Sequence, residues 1–315
     1  MNRRLPLGVD VGNTRIRIAE LFLDRGMPEI HNVAVHEVDR VTDTDLPHQI
    51  RDLLRAADIK ARNCVCGFAE PNATVRLTQF PPMSRAEQRK AAHFEAGRYV
   101  ANVEDAIVSL TELDQAHRFA LGIVDGAVLA RRLKAIRAAG LRIVAADYDG
   151  FALKRTFPDA DAILDVGYSA ARFYAYGGPI PYGTVIEYGG RNFTNEIARA
   201  FAIGMGDAEQ RKRLSGVEGI GGDTIPGFCR VVARAIQSAT TAGFVKGKKL
   251  VLCGNGARLT GLADSIALDL GYDVQLANEL MVSTTYPNDI VNANAPDWSL
   301  AVGLALYRVR REHTA

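Results

Sequence analysis

Tryptophan occurs once in the 315 residues, and cysteine four times, at Cys64, Cys66, Cys229 and Cys253. No histidine cluster accompanies the cysteines, so a zinc site lacks ligands, and free cysteine otherwise behaves as a small buried hydrophobe. No apolar run approaches the ~18–20 residues needed to cross a bilayer. The opening MNRRLPLGVDVGNT has basic residues but no apolar signal-peptide core, so a cytoplasmic location without direct membrane insertion is expected. An excess of one charge is missing too. The 38 basic and 36 acidic residues leave a formal net charge of +2, which argues against a nucleic-acid partner. What remains, 48% hydrophobic and 23% charged residues, is ordinary globular composition with length for about two domains.

Hydrophobic periodicity gives an alternation of strands and helices. Residues 5–11 and 14–22 read as strands joined at Gly12-Asn13, a β-hairpin signal. A strand near 31–38, a helix near 47–57 and a strand at 62–69 follow. After Phe80-Pro81-Pro82, Ser84 and Glu87 form a capping box that opens a helix to about Tyr99. Strands near 105–113 and 117–124, a helix over 126–139 ending at Gly140, a strand at 141–147 and a helix at 150–156 complete the first half. The opening then repeats. Ala162 to Gly167 is again a strand ending in Asp-Val-Gly, followed by an alternating segment at 170–176. A strand–turn–strand echo at half length suggests a duplicated α/β domain. Beyond it come a strand at 180–187, helices near 191–202, 206–213 and 223–242, a strand at 249–253, a helix at 257–270 and a last helix near 298–311. Such interleaving implies an α/β protein with mixed sheets.

Three segments carry residues suited to phosphate chemistry. In Asp10-Val-Gly12-Asn13-Thr14 a carboxylate ends a buried strand, where a charge needs a partner or a metal. The glycine beside it lets backbone N–H groups approach an anion. Asp165-Val-Gly167-Tyr168-Ser169 repeats the arrangement. Two such hairpins facing one another would clamp phosphates, with a hydrated Mg²⁺ between the aspartates. Either copy alone reads equally well as a plain hairpin. In Leu250-Val-Leu-Cys-Gly254-Asn255-Gly256-Ala257-Arg258 a strand runs into a glycine turn before a helix, a place where a flat base and an anion are both accommodated. Glu209 and Lys212 share one helical face, which suits either a common ligand or a solvated ion pair.

In this order and spacing the three segments resemble the actin, Hsp70 and sugar-kinase superfamily, and in detail the PilM family of type IV pilus assembly. The resemblance runs through GVDVGNTRIRIAEL, through FPPMSRAEQRKAAHFEAGRYV with Glu95, and through LRIVAADYDGFALKRTF with Asp147 on an acidic position. It continues in IEYGGRNFTNEIARAF, in Glu209 and Lys212, in VLCGNGARLTGL and in Ala301 to Leu306. It implies an actin-like ATPase fold: two RNase H-like lobes around a nucleotide cleft, with a small α/β subdomain inserted in the first. The lobes would span 1–154 and 155–297, the insertion 83–143, and a C-terminal helix over 298–315 would pack back on the first lobe. The implied cofactors are ATP and Mg²⁺. Asp10 and Asp165 would hold the metal through water, with Asp147 as a third catalytic residue. Gly12, Asn13, Thr14, Arg15, Gly167, Tyr168, Ser169, Gly189, Gly190, Glu209, Lys212, Gly254, Asn255, Gly256 and Arg258 would bind the nucleotide.

The implied role is a scaffold at the inner membrane. It would capture the N-terminal cytoplasmic tail of a PilN-like protein and contact pilus motor ATPases. Tyr168, Ala171 and Asn255 depart from the family pattern, which fits ATP binding with at most slow hydrolysis. A small-molecule kinase of the same superfamily would need a sugar-pocket aspartate motif that the sequence does not show. An FtsA-like division protein would need a C-terminal amphipathic helix, where only Arg310 to Ala315 follow. A platform that has lost nucleotide binding is the remaining alternative.

Overall fold

The computed structural model of the protein describes residues 3–114, 116–218, 220, 222–277, 283–284 and 295–307. In chain order the first elements are β1 (Arg3–Arg4), β2 (Leu7–Val11), β3 (Arg15–Asp24), β4 (Met27–Glu37), α1 (Leu46–Ala56) and β5 (Asn63–Phe68). Next come β6 (Ala73–Gln79), α2 (Arg85–Ala96), β7 (Ala106–Glu112), β8 (Arg118–Asp125), α3 (Gly126–Ala138), β9 (Arg142–Tyr148) and α4 (Asp149–Thr156). The second half holds β10 (Ala162–Val166), β11 (Ala171–Ala175), β12 (Tyr182–Ile186), α5 (Gly190–Phe201), α6 (Met205–Ser215) and α7 (Thr224–Thr241). It continues with β13 (Lys249–Cys253), α8 (Leu262–Leu270), β14 (Asp273–Leu276), β15 (Ser283–Thr284) and α9 (Ala295–Ala305).

Two sheets share one plan. In the first, strands run β15-β4-β3-β2-β5-β9, with β1 on β3; in the second they run β12-β11-β10-β13-β14. Each has an antiparallel meander whose innermost strand continues into two parallel strands: β4-β3-β2 with β5 and β9, and β12-β11-β10 with β13 and β14. Parallel strands need crossover helices and are buried on both faces. Leu7, Val9, Ile163, Leu164, Leu250 and Leu252 are accordingly inaccessible. Cys64 and Cys66 lie in β5 as buried thiols, and burial pushes both up to about 12.

The third sheet, β6-β8-β7, is a separate small layer. Its first strand begins at Ala73, upstream of residue 83, where the insertion was expected to start. The Val75/Leu77 alternation upstream of Phe80-Pro81-Pro82 pairs the whole of β6 with β8. Alternation in β8 divides two cores: Leu121 and Ile123 pack with Ala92 and Ala96 of α2, while Ala120 and Val124 join the main core with Ala135 and Ile136 of α3. The layers therefore run from the first sheet and α1 through α3 and the small sheet to α2, which is outermost.

Two helices differ from their expected bounds. Asn255–Arg258 forms a short 3-10 turn, and α8 starts only at Leu262, after Gly261 at φ +78°. The last helix begins at Ala295; residues 308–315 of the expected span lie outside the described residues. α9 lies flat on β2 because Gly8 has no side chain: a Cβ there would come within 1.8 Å of the Ala301 carbonyl oxygen. Trp298, Ala301, Val302 and Ala305 fill the contact with Ala19, Leu21 and Ile30.

Candidate functional site

The two hairpins β2–β3 and β10–β11 are built alike. Gly12 N–H donates to the Arg15 carbonyl at 2.9 Å, and Gly167 N–H to the Ala170 carbonyl at 3.1 Å. Closing each turn this way fixes the register, so Asp10 stands opposite Arg17 and Asp165 opposite Arg172. Both hairpins therefore read Asp-Val-Gly-x-x-x-x-Arg. The hairpin tips meet: Asn13 Nδ2 donates to Ser169 Oγ at 2.6 Å.

Between them lies a cleft of about 860 Å³, lined among others by Asp10, Gly12, Asn13, Thr14, Arg15, Gly167, Tyr168 and Ser169. Gly190, Glu209, Lys212, Gly254, Asn255, Gly256 and Arg258 line it as well. Two residues named from sequence do not. Gly189 packs beneath the second hairpin, beside the Ala170 backbone. Asp147 is bound to Arg155 and accepts its neighbour Tyr148 N–H at 2.9 Å. The acid that faces the cleft is Asp149, on the first turn of α4. The strand ends at Tyr148, and the turn into the helix brings residue 149 inward.

The cleft floor is electrostatically dense. Arg17 Nη1 donates to Asp10 at 2.9 Å, while its Nε and Nη2 donate to Asp297 Oδ1 at 3.0 and 2.6 Å. Asp297 also binds Arg15, which reaches Glu37 at 2.8 Å. Burial pushes the Asp10 and Asp165 carboxyls above the usual range, against the pull of Arg17 and Arg172 respectively. Burial raises Asp149 well above it, and Asp149 Oδ1 has no hydrogen-bond partner among the described residues. Burial works to lower Arg17 and Arg172, but Asp10 and Asp297 around Arg17, and Tyr174, Asp165 and Asp149 around Arg172, outweigh it and hold both guanidiniums above their ordinary value. Arg172 Nε donates to the Glu70 carbonyl at 3.2 Å. None of Arg17, Arg172, Asp149 or Asp297 was named from sequence. The two arginines were legible as cross-strand partners at the same offset in both hairpins; Asp297 was not.

On the opposite side Lys212 Nζ donates to the Gly190 carbonyl, Thr194 Oγ1 and Glu209 Oε2 at 2.9, 2.7 and 2.6 Å. All three ammonium protons are thus engaged. Burial works to raise Glu209, but the bonds from Lys212 and Thr194 prevail and hold it below the usual range. Burial lowers Lys212 despite Glu209. Lys212 therefore positions Glu209, whose other oxygen meets Arg213 Nε at 3.2 Å. Arg213 also crosses the cleft to Glu37. The turn after β13 is dictated by Gly254, at φ +77°, where a Cβ would lie 2.2 Å from Asp165 Oδ1. Its N–H donates to the Pro296 carbonyl at 2.8 Å, tying β13 to α9.

The sequence profile of the family described as "Type IV pilus assembly protein PilM" matches residues 127–309, more than half of the chain. The chain belongs to the PilM family. As a PilM-family protein it is similar in structure to a chain of a "PilM-PilN type IV pilus biogenesis complex", with TM-score 0.86 and 22% identity over 96% of this chain and 98% of that one. The ethanolamine utilization protein EutJ from Carboxydothermus hydrogenoformans aligns with TM-score 0.59 and 16% identity over 96% and 89%. A chain of the MamK double helical filament aligns with TM-score 0.57 and 11% identity over 99% of both. No curated protein sequence matches. The fold of this PilM-family chain is therefore the actin-like ATPase fold. No helix among the described residues is long and apolar enough to cross a membrane.

Proposed function

We propose that this PilM-family protein is an ATP-binding scaffold of a type IV pilus or related inner-membrane assembly, held at the cytoplasmic face by a PilN-like partner. The paired hairpins across one cleft carry this reading. Backbone N–H groups of residues 12–14 and 167–169 would hold phosphates, as a glycine-bearing turn can. Glu209, Asn255, Gly256 and Arg258 would flank the nucleoside, with Gly254 setting the turn and Lys212 acting through Glu209.

The donor set fits a hydrated Mg²⁺. Among the described residues no three His, Cys, Asp or Glu side chains converge to ligate an ion directly. Asp10, Asp149 and Asp165 nonetheless line the same cleft, which suits a cation held through water. Bound Mg²⁺ would neutralise phosphate charge. Asp149 replaces Asp147 as the third acid of this site. Turnover is slow in this reading because Tyr168, Ala171 and Asn255 depart from the family pattern around the cleft, and a loosely held water reacts poorly. ATP then serves chiefly as a clamp between lobes that meet near residues 154–155.

The partner's N-terminal tail would dock where the inserted layer joins the first lobe, beside α3. That helix already touches the phosphate hairpin: Arg132 Nη1 donates to the Val11 carbonyl at 3.2 Å, and its Nε to Asp43 at 2.9 Å. Contact with the pilus motor ATPases belongs to the same proposal.

Calorimetry with ATP and Mg²⁺ tests the site. Wild type binds and Asp10→Ala binds more weakly; equal affinities would remove the metal role of Asp10. ATP at 100 times its Kd should stabilise the fold by about 2.7 kcal/mol without phosphate release. Titration with the N-terminal peptide of a PilN-like protein from the same genome tests the partner, and absence of binding counts against it.

A further inference from the structure

The outermost helix, α2, presents a second and separate surface. Ala92 and Ala96 face the three-stranded sheet, and Phe94 points the opposite way with 82% of its surface exposed. Phe94 and, one turn on, Gly97 line a shallow groove of about 780 Å³ between α2 and the chain that follows it, with Val103 on the side of that chain. The rim is basic: Arg89, Lys90, His93 and Arg98 stand against a single carboxylate, Glu104. His93 lies 3.6 Å from Glu104 and Arg98 3.0 Å from Glu95, so Arg89 and Lys90 are the cations with no acid partner among the described residues. The whole chain carries a net charge of only +2, so this is a local concentration rather than a general excess.

An apolar floor bearing an exposed aromatic, ringed by cations, is complementary to a short acidic segment with one apolar anchor. A second copy of this chain fits poorly, because a two-fold contact would set the same basic rim against itself. We infer that the outer face of α2 docks an acidic peptide segment of a protein partner, with an aromatic or aliphatic side chain against Phe94 and carboxylates on Arg89 and Lys90. The site is distinct from the α3 side, where the PilN-like tail is proposed to dock, and does not depend on that proposal.

Selection of short random peptides displayed on phage, using the full chain as bait, tests this. Arg89→Glu/Lys90→Glu and Phe94→Ser serve as counter-baits. These positions are exposed on the helix, so unchanged melting temperature and ATP affinity certify the fold. The expected winners are rich in Asp and Glu, carry one large apolar residue, and bind each counter-bait about tenfold or more weaker, with affinity falling as salt rises. Neutral or basic winners, or no enrichment, overturn the proposal. So does equal capture by the counter-baits, or displacement of the winners by the PilN-like tail. Vesicles of anionic lipid and light scattering run in parallel. Phe94-dependent vesicle binding or Phe94-dependent dimerisation in place of peptide binding would assign the surface to a membrane or to self-association and overturn it.

Discussion

The two hairpins carry the same eight-residue pattern on the same strand plan, yet their charges are handled differently. In the first, Arg17 is locked between Asp10 and Asp297, a residue of the last helix. In the second, the equivalent Arg172 turns to the Glu70 carbonyl and acts on Asp165 through space. Local sequence sets the cross-strand pair; what lies across the cleft decides whether the pair closes. The first hairpin is thereby a satisfied ion cluster, and the second keeps its aspartate free of a direct salt bridge among the described residues.

Removing the two arginines separates these cases most sharply. Arg17→Ala leaves Asp10 and Asp297 buried without their shared cation and should cost about 3–5 kcal/mol in denaturant unfolding. Arg172→Ala leaves a lone carbonyl and a longer-range imbalance, for about 1–3 kcal/mol. Equal losses would mean that the closed pair carries no special weight.

The floor and the nucleoside side should also respond oppositely to pH. Asp10, Asp149 and Asp165 have raised values when folded, so above the ordinary 3.8 the folded state holds the extra protons. Stability from these groups is fullest at low pH and falls as pH rises through that window to the raised values. Glu209 is held below its ordinary 4.5, so its contribution is present above that value and is lost as pH falls through the depressed one. Asp149→Asn keeps the shape without the charge. It should raise stability near neutral pH by about 1–3 kcal/mol and flatten the acid limb. An unchanged pH profile would show that burial of Asp149 is not costly.

Contacts between the halves are the smaller effects. Asn13→Ala removes the bond between hairpin tips and should cost about 0.5–1.5 kcal/mol, with Ser169→Ala adding little to it in a double-mutant cycle. The Glu37–Arg213 pair across the cleft is half exposed, so its coupling energy should reach only about 0.2–1 kcal/mol and shrink in high salt. A coupling above that range would mark it as a genuine closure latch.

Much of this was written in short-range pattern. The Gly12-Asn13 turn, the Ser84–Glu87 capping box and the period-two runs of β7, β8, β10 and β11 require only neighbouring residues, and the structure places them within one or two positions of where the sequence does. Gly254 was legible because only glycine tolerates that backbone against Asp165. Strand β6 carries the same alternation, with Ala73, Val75 and Leu77 set against Thr74, Arg76 and Thr78, but over a short run that ends at Phe80-Pro81-Pro82. The acid facing the cleft could not be read, because Asp147 and Asp149 are equivalent in sequence until the end of β9 is fixed. The partnership of Arg17 with Asp297 is further still from local pattern. It joins residues at opposite ends of the chain, and only the packing of α9 onto β2 through Gly8 brings them together. Sequence alone determined the elements and the duplicated hairpins, since hydrogen bonding and periodicity act over a few residues. Tertiary structure decided which charges meet, because burial and Coulombic attraction depend on distance in space rather than along the chain.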